Sequence, residues 1–204
     1  MPALESIKKL TEKATGWARP KKAKLNTLVQ TRKPNLFRFK DDGIIPNHPT
    51  FPLILYRGAV RFPDEFDRAA VFEDVFDKNG WGDSWRNGIY DYVHYHSKIH
   101  EVLGIARGNG SVQFGGKRGR ILKLKAGDVA VLPAGTGHQC LSATKDFLVV
   151  GAYPRSQNLW RARQSVRCYP CRYHFKRHAV GGAGSRAKAP RSTCQQRRGI
   201  GCGL

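Results

Sequence analysis

The chain has 204 residues, room for one domain with a substantial core plus flanking segments. Its formal net charge is +21, but residues 1–40 carry 11 Lys and Arg against 2 acids, residues 41–154 carry 13 of each, and residues 155–204 carry 12 with no acid. A neutral middle between basic flanks is explained more simply by solvated tails than by a basic binding face, and argues against nucleic acid as the partner of the folded part.

In chain order, Leu4, Ile7, Leu10, Ala14 and Trp17 fall at helical spacing and predict a short amphipathic helix over 3–17. A basic linker follows Arg19-Pro20 as far as Pro34, so residues 1–35 read as a helical extension and linker. Leu36-Phe37-Arg38-Phe39 reads as a strand, Ile45-Pro46-Asn47-His48-Pro49 as extended chain and turns, and Phe51 to Tyr56 as a second strand. Phe66, Ala69, Ala70, Phe72, Val75 and Phe76 predict a helix between Asp64 and Asn79, ended at Gly80. From Ile89 the apolar period becomes two, with strands expected at 89–96, 101–107, 111–114, 120–125, 129–132, 138–143 and 147–153 between short, mostly Gly-containing loops. Strands this short and evenly spaced define an all-β sandwich or barrel over residues 36–154. No stretch approaches the roughly 18 apolar residues of a membrane span, and the N-terminus lacks the apolar run of a signal peptide.

The chemistry concentrates in residues 94–138. His94 and His96 lie two apart on a strand and project from one face. Glu101 opens the next strand, and His138 follows several strands later. Three imidazoles and a carboxylate suit Zn, Fe, Mn, Ni or Cu and leave positions open for substrate or water. His100 stands beside Glu101 as a rival ligand by spacing. Tyr90 and Tyr92 share strand parity with His94, and Cys140 shares it with His138, so Tyr92 and Cys140 are candidate pocket residues, with ordinary core packing as the alternative. Trp85 and Arg86 either guard an acidic substrate or are a packed Trp and a surface Arg.

These residues resemble the cupins. Gly88, five residues, His94-Tyr95-His96, four residues, Glu101, six residues and Gly108 match the first cupin motif. Gly127, five residues, Pro133-Ala134-Gly135, two residues and His138 match the second, with Ser142 where that motif ends in Asn. Residues 41–60, 80–108 and 126–154 also resemble the uncharacterised YjlB-like subfamily. The resemblance implies a single jelly-roll (double-stranded β-helix) barrel holding one divalent transition metal (Fe, Mn, Ni or Zn) by His94, His96, Glu101 and His138. Alignment on Gly108 favours Glu101 over His100, which becomes a neighbour able to steady a ligand. The expected function is a mononuclear metal-dependent enzyme of oxygenase or isomerase type acting on a small molecule; the alternative is a metal-dependent binding or sensor protein without turnover. The residues assign no catalytic group. The resemblance also implies an outer sheet face able to support a homodimer.

Beyond Pro154 the acids vanish and Arg, Gly, Ser and Cys dominate, and the YjlB-like resemblance ends. Residues 155–204 are expected to be a disordered basic tail, or sequence from a shifted frame or retained intron. Cys168, Cys171, His174 and His178 are too closely spaced for a zinc finger. Four of the five cysteines lie in this tail, which is not the spread of a disulfide framework, so a reducing cytoplasm is the expected compartment. A mitochondrial presequence is the alternative, with Glu5 and Glu12 against it.

Overall fold

The computed structural model describes residues 19–20, 22–64, 66–155 and 166–168. The helix expected at 3–17 and most of the basic tail lie outside them. The elements are α1 (Lys22–Leu28), β1 (Asn35–Phe37), β2 (Leu53–Tyr56), α2 (Arg68–Lys78), β3 (Trp81–Asn87), β4 (His94–His96), β5 (Glu101–Arg107), β6 (Asn109–Phe114), β7 (Arg120–Lys125), β8 (Val129–Leu132), β9 (His138–Ala143), β10 (Leu148–Pro154) and β11 (Val166–Cys168).

Two antiparallel sheets face one another. The larger runs β1-β2-β8-β5-β10-β3, the smaller β11-β4-β9-β6-β7. Side-chain alternation sorts the core into two layers. Leu103 and Ile105 of β5 point into the barrel with Leu53, Leu55, Phe114, Leu132 and Val149. Val102 and Ala106 point the other way and, with Val150 and Ala152, pack under Phe72 and Phe76 of α2. The near-continuous apolar run of β5 thus reflects burial on both faces. Asp67 caps α2 by accepting from the Ala69 amide at 3.1 Å. Gly80, at φ +81°, lets the chain turn from α2 into β3.

The sheet is thinnest beneath α2. A β-carbon on Gly104 would lie 2.5 Å from the Phe72 ring, and one on Gly151 would lie 2.1 Å from the Trp85 indole. These glycines occupy adjacent strands, Gly104 opposite Val150 and Gly151 opposite Leu103. One admits a ring against the outer face, the other against the inner.

Three elements differ from expectation. The linker contains α1, whose Leu25 and Leu28 are buried against the α2 layer. The strand expected over 89–96 is confined to His94–His96, because the Tyr90 and Asp91 carbonyls bond the Cys140 amide and the Gln139 side chain outside any regular ladder. Strand β3, which the sequence does not announce, pairs with β10 along the sheet edge with largely accessible side chains. Among the described residues no helix is long and apolar enough to cross a membrane.

Candidate metal centre

The two sheets bring their polar side chains together inside the barrel. His94 pairs in register with His138, the only paired position between β4 and β9, and both rings enter the interior. His96 joins them because it shares His94's parity. All three are buried, and their ligand nitrogens lie within 4.8 Å of one another. Glu101, 2% exposed, approaches from the larger sheet. Its Oε1 is 3.4 Å from His96 Nε2 and its Oε2 is 3.4 Å from His138 Nε2. Among the described residues Oε2 has no hydrogen-bond partner despite complete burial.

Backbone carbonyls orient two of the rings. His94 Nδ1 lies 3.3 Å from the Tyr92 carbonyl, and His138 Nδ1 lies 3.2 Å from the Thr136 carbonyl. Donation through Nδ1 leaves Nε2 with its lone pair available, as a metal ligand requires. Two donors held about 2.1 Å from one tetrahedral ion would stand about 3.4 Å apart, which is the separation observed between Glu101 and its two imidazole neighbours. Buried nitrogens in close array, with an unsatisfied carboxylate oxygen beside them, fit a divalent cation.

Burial pushes the His94 pKa well below the usual imidazole value, and His138 and His96 push it further. Burial also lowers His138, with Glu101 opposing. For Glu101 burial acts upward, but hydrogen bonding and charge from His96, with help from His138 and Tyr153, hold the carboxyl below its ordinary range. Neutral His94 and His138 beside a Glu101 carboxylate are therefore the resting state near neutral pH.

A stability signature follows. In the unfolded chain these imidazoles titrate near 6.5, whereas folded His94 and His138 stay neutral to lower pH. Below that pH the unfolded state binds more protons, so stability is full above about 6.5 and falls as pH drops towards the folded-state values. The urea midpoint of metal-free protein is expected to fall between pH 7.5 and 5.5, and His94→Gln to flatten that slope. A midpoint unchanged over that range in the unsubstituted protein would mean that the imidazoles are solvated.

A polar strap seats the loop that delivers His138. Asn47 is 5% exposed and left-handed at φ 51°. Its Nδ2 donates to the Lys40 and Gly115 carbonyls at 2.9 and 3.2 Å, and its Oδ1 accepts from the Gly137 amide at 3.3 Å. Its own amide donates to the Gly135 carbonyl at 3.1 Å. Nothing in the sequence signals this residue. Tyr153, which hydrogen-bonds Glu101 and has its ring 5.5 Å from that of His96, was also missed. Strand parity with Val149 and Gly151 could have found it.

The other sequence candidates divide. His100 is turned away from the triad; its Nδ1 accepts from the Ala134 amide at 2.9 Å and its ring sits near His48 and Phe51. The Tyr90 and Tyr92 rings stack at 4.8 Å and lie 5.1 and 5.7 Å from the His94 ring. Cys140 is buried in the barrel interior, as parity predicts. Arg86 faces no substrate space. It bonds Glu73 at 2.7 and 2.9 Å and Asp67 at 2.9 Å, tying β3 to α2. Trp85 lies on Gly151, with its Nε1–H buried and unpartnered among the described residues.

A jelly-roll barrel with three histidines inside it defines a cupin, and residues 86–159 match the cupin family model. The uncharacterized protein YjlB of Bacillus subtilis (strain 168) is 43% identical over 123 residues, spanning 60% of this chain and 71% of that protein. The chain belongs to the cupins and, within them, to the YjlB-like proteins. Among solved structures, the TDP-fucose-3,4-ketoisomerase WlaRA of Campylobacter jejuni is 13% identical with a TM-score of 0.35, covering 69% of this chain and 92% of that one. Acireductone dioxygenase of Bacillus anthracis is 21% identical with a TM-score of 0.32, covering 47% and 67%. Likeness at this level carries no statement about activity.

Proposed function

We propose that the protein is a mononuclear metal-dependent enzyme of oxygenase or isomerase type, acting on a small molecule inside the barrel. The observation that supports this is the buried triad of His94, His96 and His138 with both oxygens of Glu101 at 3.4 Å from two of its nitrogens. On this reading those four residues hold one divalent ion. When bound, the ion supplies Lewis-acid polarisation of a substrate oxygen.

The chain's own groups do the rest. The Tyr92 and Thr136 carbonyls fix the His94 and His138 rings, and Tyr153 holds the Glu101 carboxylate. The apolar wall of Leu103, Leu132 and Phe114 excludes bulk water and strengthens each polar contact within. Metal analysis of the purified chain, followed by a metabolite screen reading oxygen uptake and isomer formation, tests the proposal. About one equivalent of transition metal with turnover in either screen is expected. No stoichiometric metal would sink it, and stoichiometric metal without turnover would replace it with a metal-dependent binding protein.

A further inference from the structure

A second cleft lies on the outside of the smaller sheet. It has a volume of about 310 Å³ and includes Asp42, Ile44, Asp91, Val93, Gln113 and Gln139 in its lining. Gln113 alternates with the fully buried Val112 and Phe114, and Gln139 with the buried His138 and Cys140, so both glutamines face away from the barrel. They are register partners on β6 and β9 and lie side by side across the cleft floor.

The walls are pinned in place. Asp42 accepts from the Ile44 and Ile45 amides at 3.0 and 2.7 Å and from the Lys117 amide at 3.1 Å, joining the strap to the β6–β7 loop. Gln139 Nε2 donates to the Asp91 carbonyl at 2.7 Å, joining the opposite wall to the floor. Gln113 Nε2 donates to the Gly116 carbonyl at 3.1 Å. With each amide nitrogen directed to a backbone carbonyl, each Oε1 is left able to accept from a ligand. The lining carries two carboxylates, Asp42 and the exposed Asp91, against one cation, Lys117, so its net charge is negative, while Ile44 and Val93 supply apolar surface.

Neighbouring acceptors, a carboxylate and an apolar wall require a ligand that donates several hydrogen bonds from a positive group on an apolar body. We propose that this cleft is a binding site for a small protonated amine, separate from the triad on the opposite face of the same strands. The ammonium would sit over Gln113 and Gln139, with Asp91 completing its charge balance and its carbon skeleton against Ile44 and Val93.

Titration of the full chain at pH 7 with isoamylamine, followed by calorimetry and by protein-detected NMR, tests this. Its neutral isostere isoamyl alcohol serves as control. The amine is expected to bind at least fivefold more tightly than the alcohol. Gln113→Leu and Gln139→Leu should each weaken the amine about tenfold, as expected when one charged hydrogen bond is lost. His138→Ala should leave its affinity within twofold, which separates the cleft from the triad. Equal affinity for amine and alcohol, insensitivity to both leucine variants, loss of binding in His138→Ala, or no amine binding at 20 mM would each overturn the proposal.

Discussion

On the proposed ligand assignment, replacing His138 by alanine is expected to abolish the binding of a divalent ion while leaving the barrel folded. Altering a group that merely orients a ligand costs roughly 10–100-fold in metal affinity, so deleting a ligand should cost on the order of a hundredfold or more. Bound metal, measured after dialysis against a weak chelator, should fall from about one equivalent to under a tenth. The same substitution removes one buried, neutral imidazole whose charging is already disfavoured. Because it also leaves the buried Thr136 carbonyl without its partner, the metal-free variant should be less stable than the metal-free parent by about 1–3 kcal/mol. The parent alone gains further stability on adding metal. At a free-ion concentration a hundred times the dissociation constant that gain is about 2.7 kcal/mol. His100→Ala provides the contrast, because its Nδ1 serves the Ala134 amide and its ring lies with His48 and Phe51. It should keep its metal. Loss of metal in His100→Ala with retention in His138→Ala would reverse the ligand assignment.

Asn47→Ala is expected to be the most damaging single change outside the triad. It leaves the Lys40 and Gly115 carbonyls and the Gly137 amide without their partner. The Gly115 carbonyl and the Gly137 amide are buried and cost about 1–3 kcal/mol each, while the Lys40 carbonyl, on an exposed residue, costs less. The left-handed backbone at φ 51° adds about 1 kcal/mol for a residue with a β-carbon that cannot bond locally. A loss of about 4 kcal/mol, read as the shift in urea midpoint, is a reasonable central value. Asn47→Gly removes the same bonds but relieves the backbone, so it should recover about 1 kcal/mol of that loss. Because Gly137 precedes His138, both variants should also bind metal more weakly than the parent. Equal stability losses for alanine and glycine, with metal affinity untouched, would show that the strap holds the fold but not the site.

The barrel was legible because its signals are local. Leu122 and Leu124 alternate with lysines on β7, and turn residues mark most of the strand ends. His94 and His96 were legible as neighbours on one face because strand parity is a geometric rule. Glu101 and His100 were harder to separate, since spacing admits both. The alternation that sends Glu101 inward with Leu103 also turns His100 away, and only the register Glu101 to Leu132 makes this visible. Strand β3 was hidden because an edge strand with accessible side chains lacks an apolar period, and Asp83 breaks the expected backbone at φ 53°. Helix α1 was hidden because Leu25 and Leu28 alone among its described side chains enter the core, too few to show a helical period. Asn47 was illegible for a different reason. Its partners come from residues 40, 115, 135 and 137, a convergence created by the fold and not by any motif.

The thin place in the larger sheet bears on how substitutions accumulate in this lineage. With Phe72 lying against Gly104 from one side and Trp85 against Gly151 from the other, two backbones are held between two rings. Drift at either glycine is blocked unless the facing aromatic shrinks in the same lineage, so each pair changes jointly or not at all. Glycine retained at 104 and 151 among relatives would therefore record a packing constraint, and covariation with positions 72 and 85 would distinguish it from selection on chemistry.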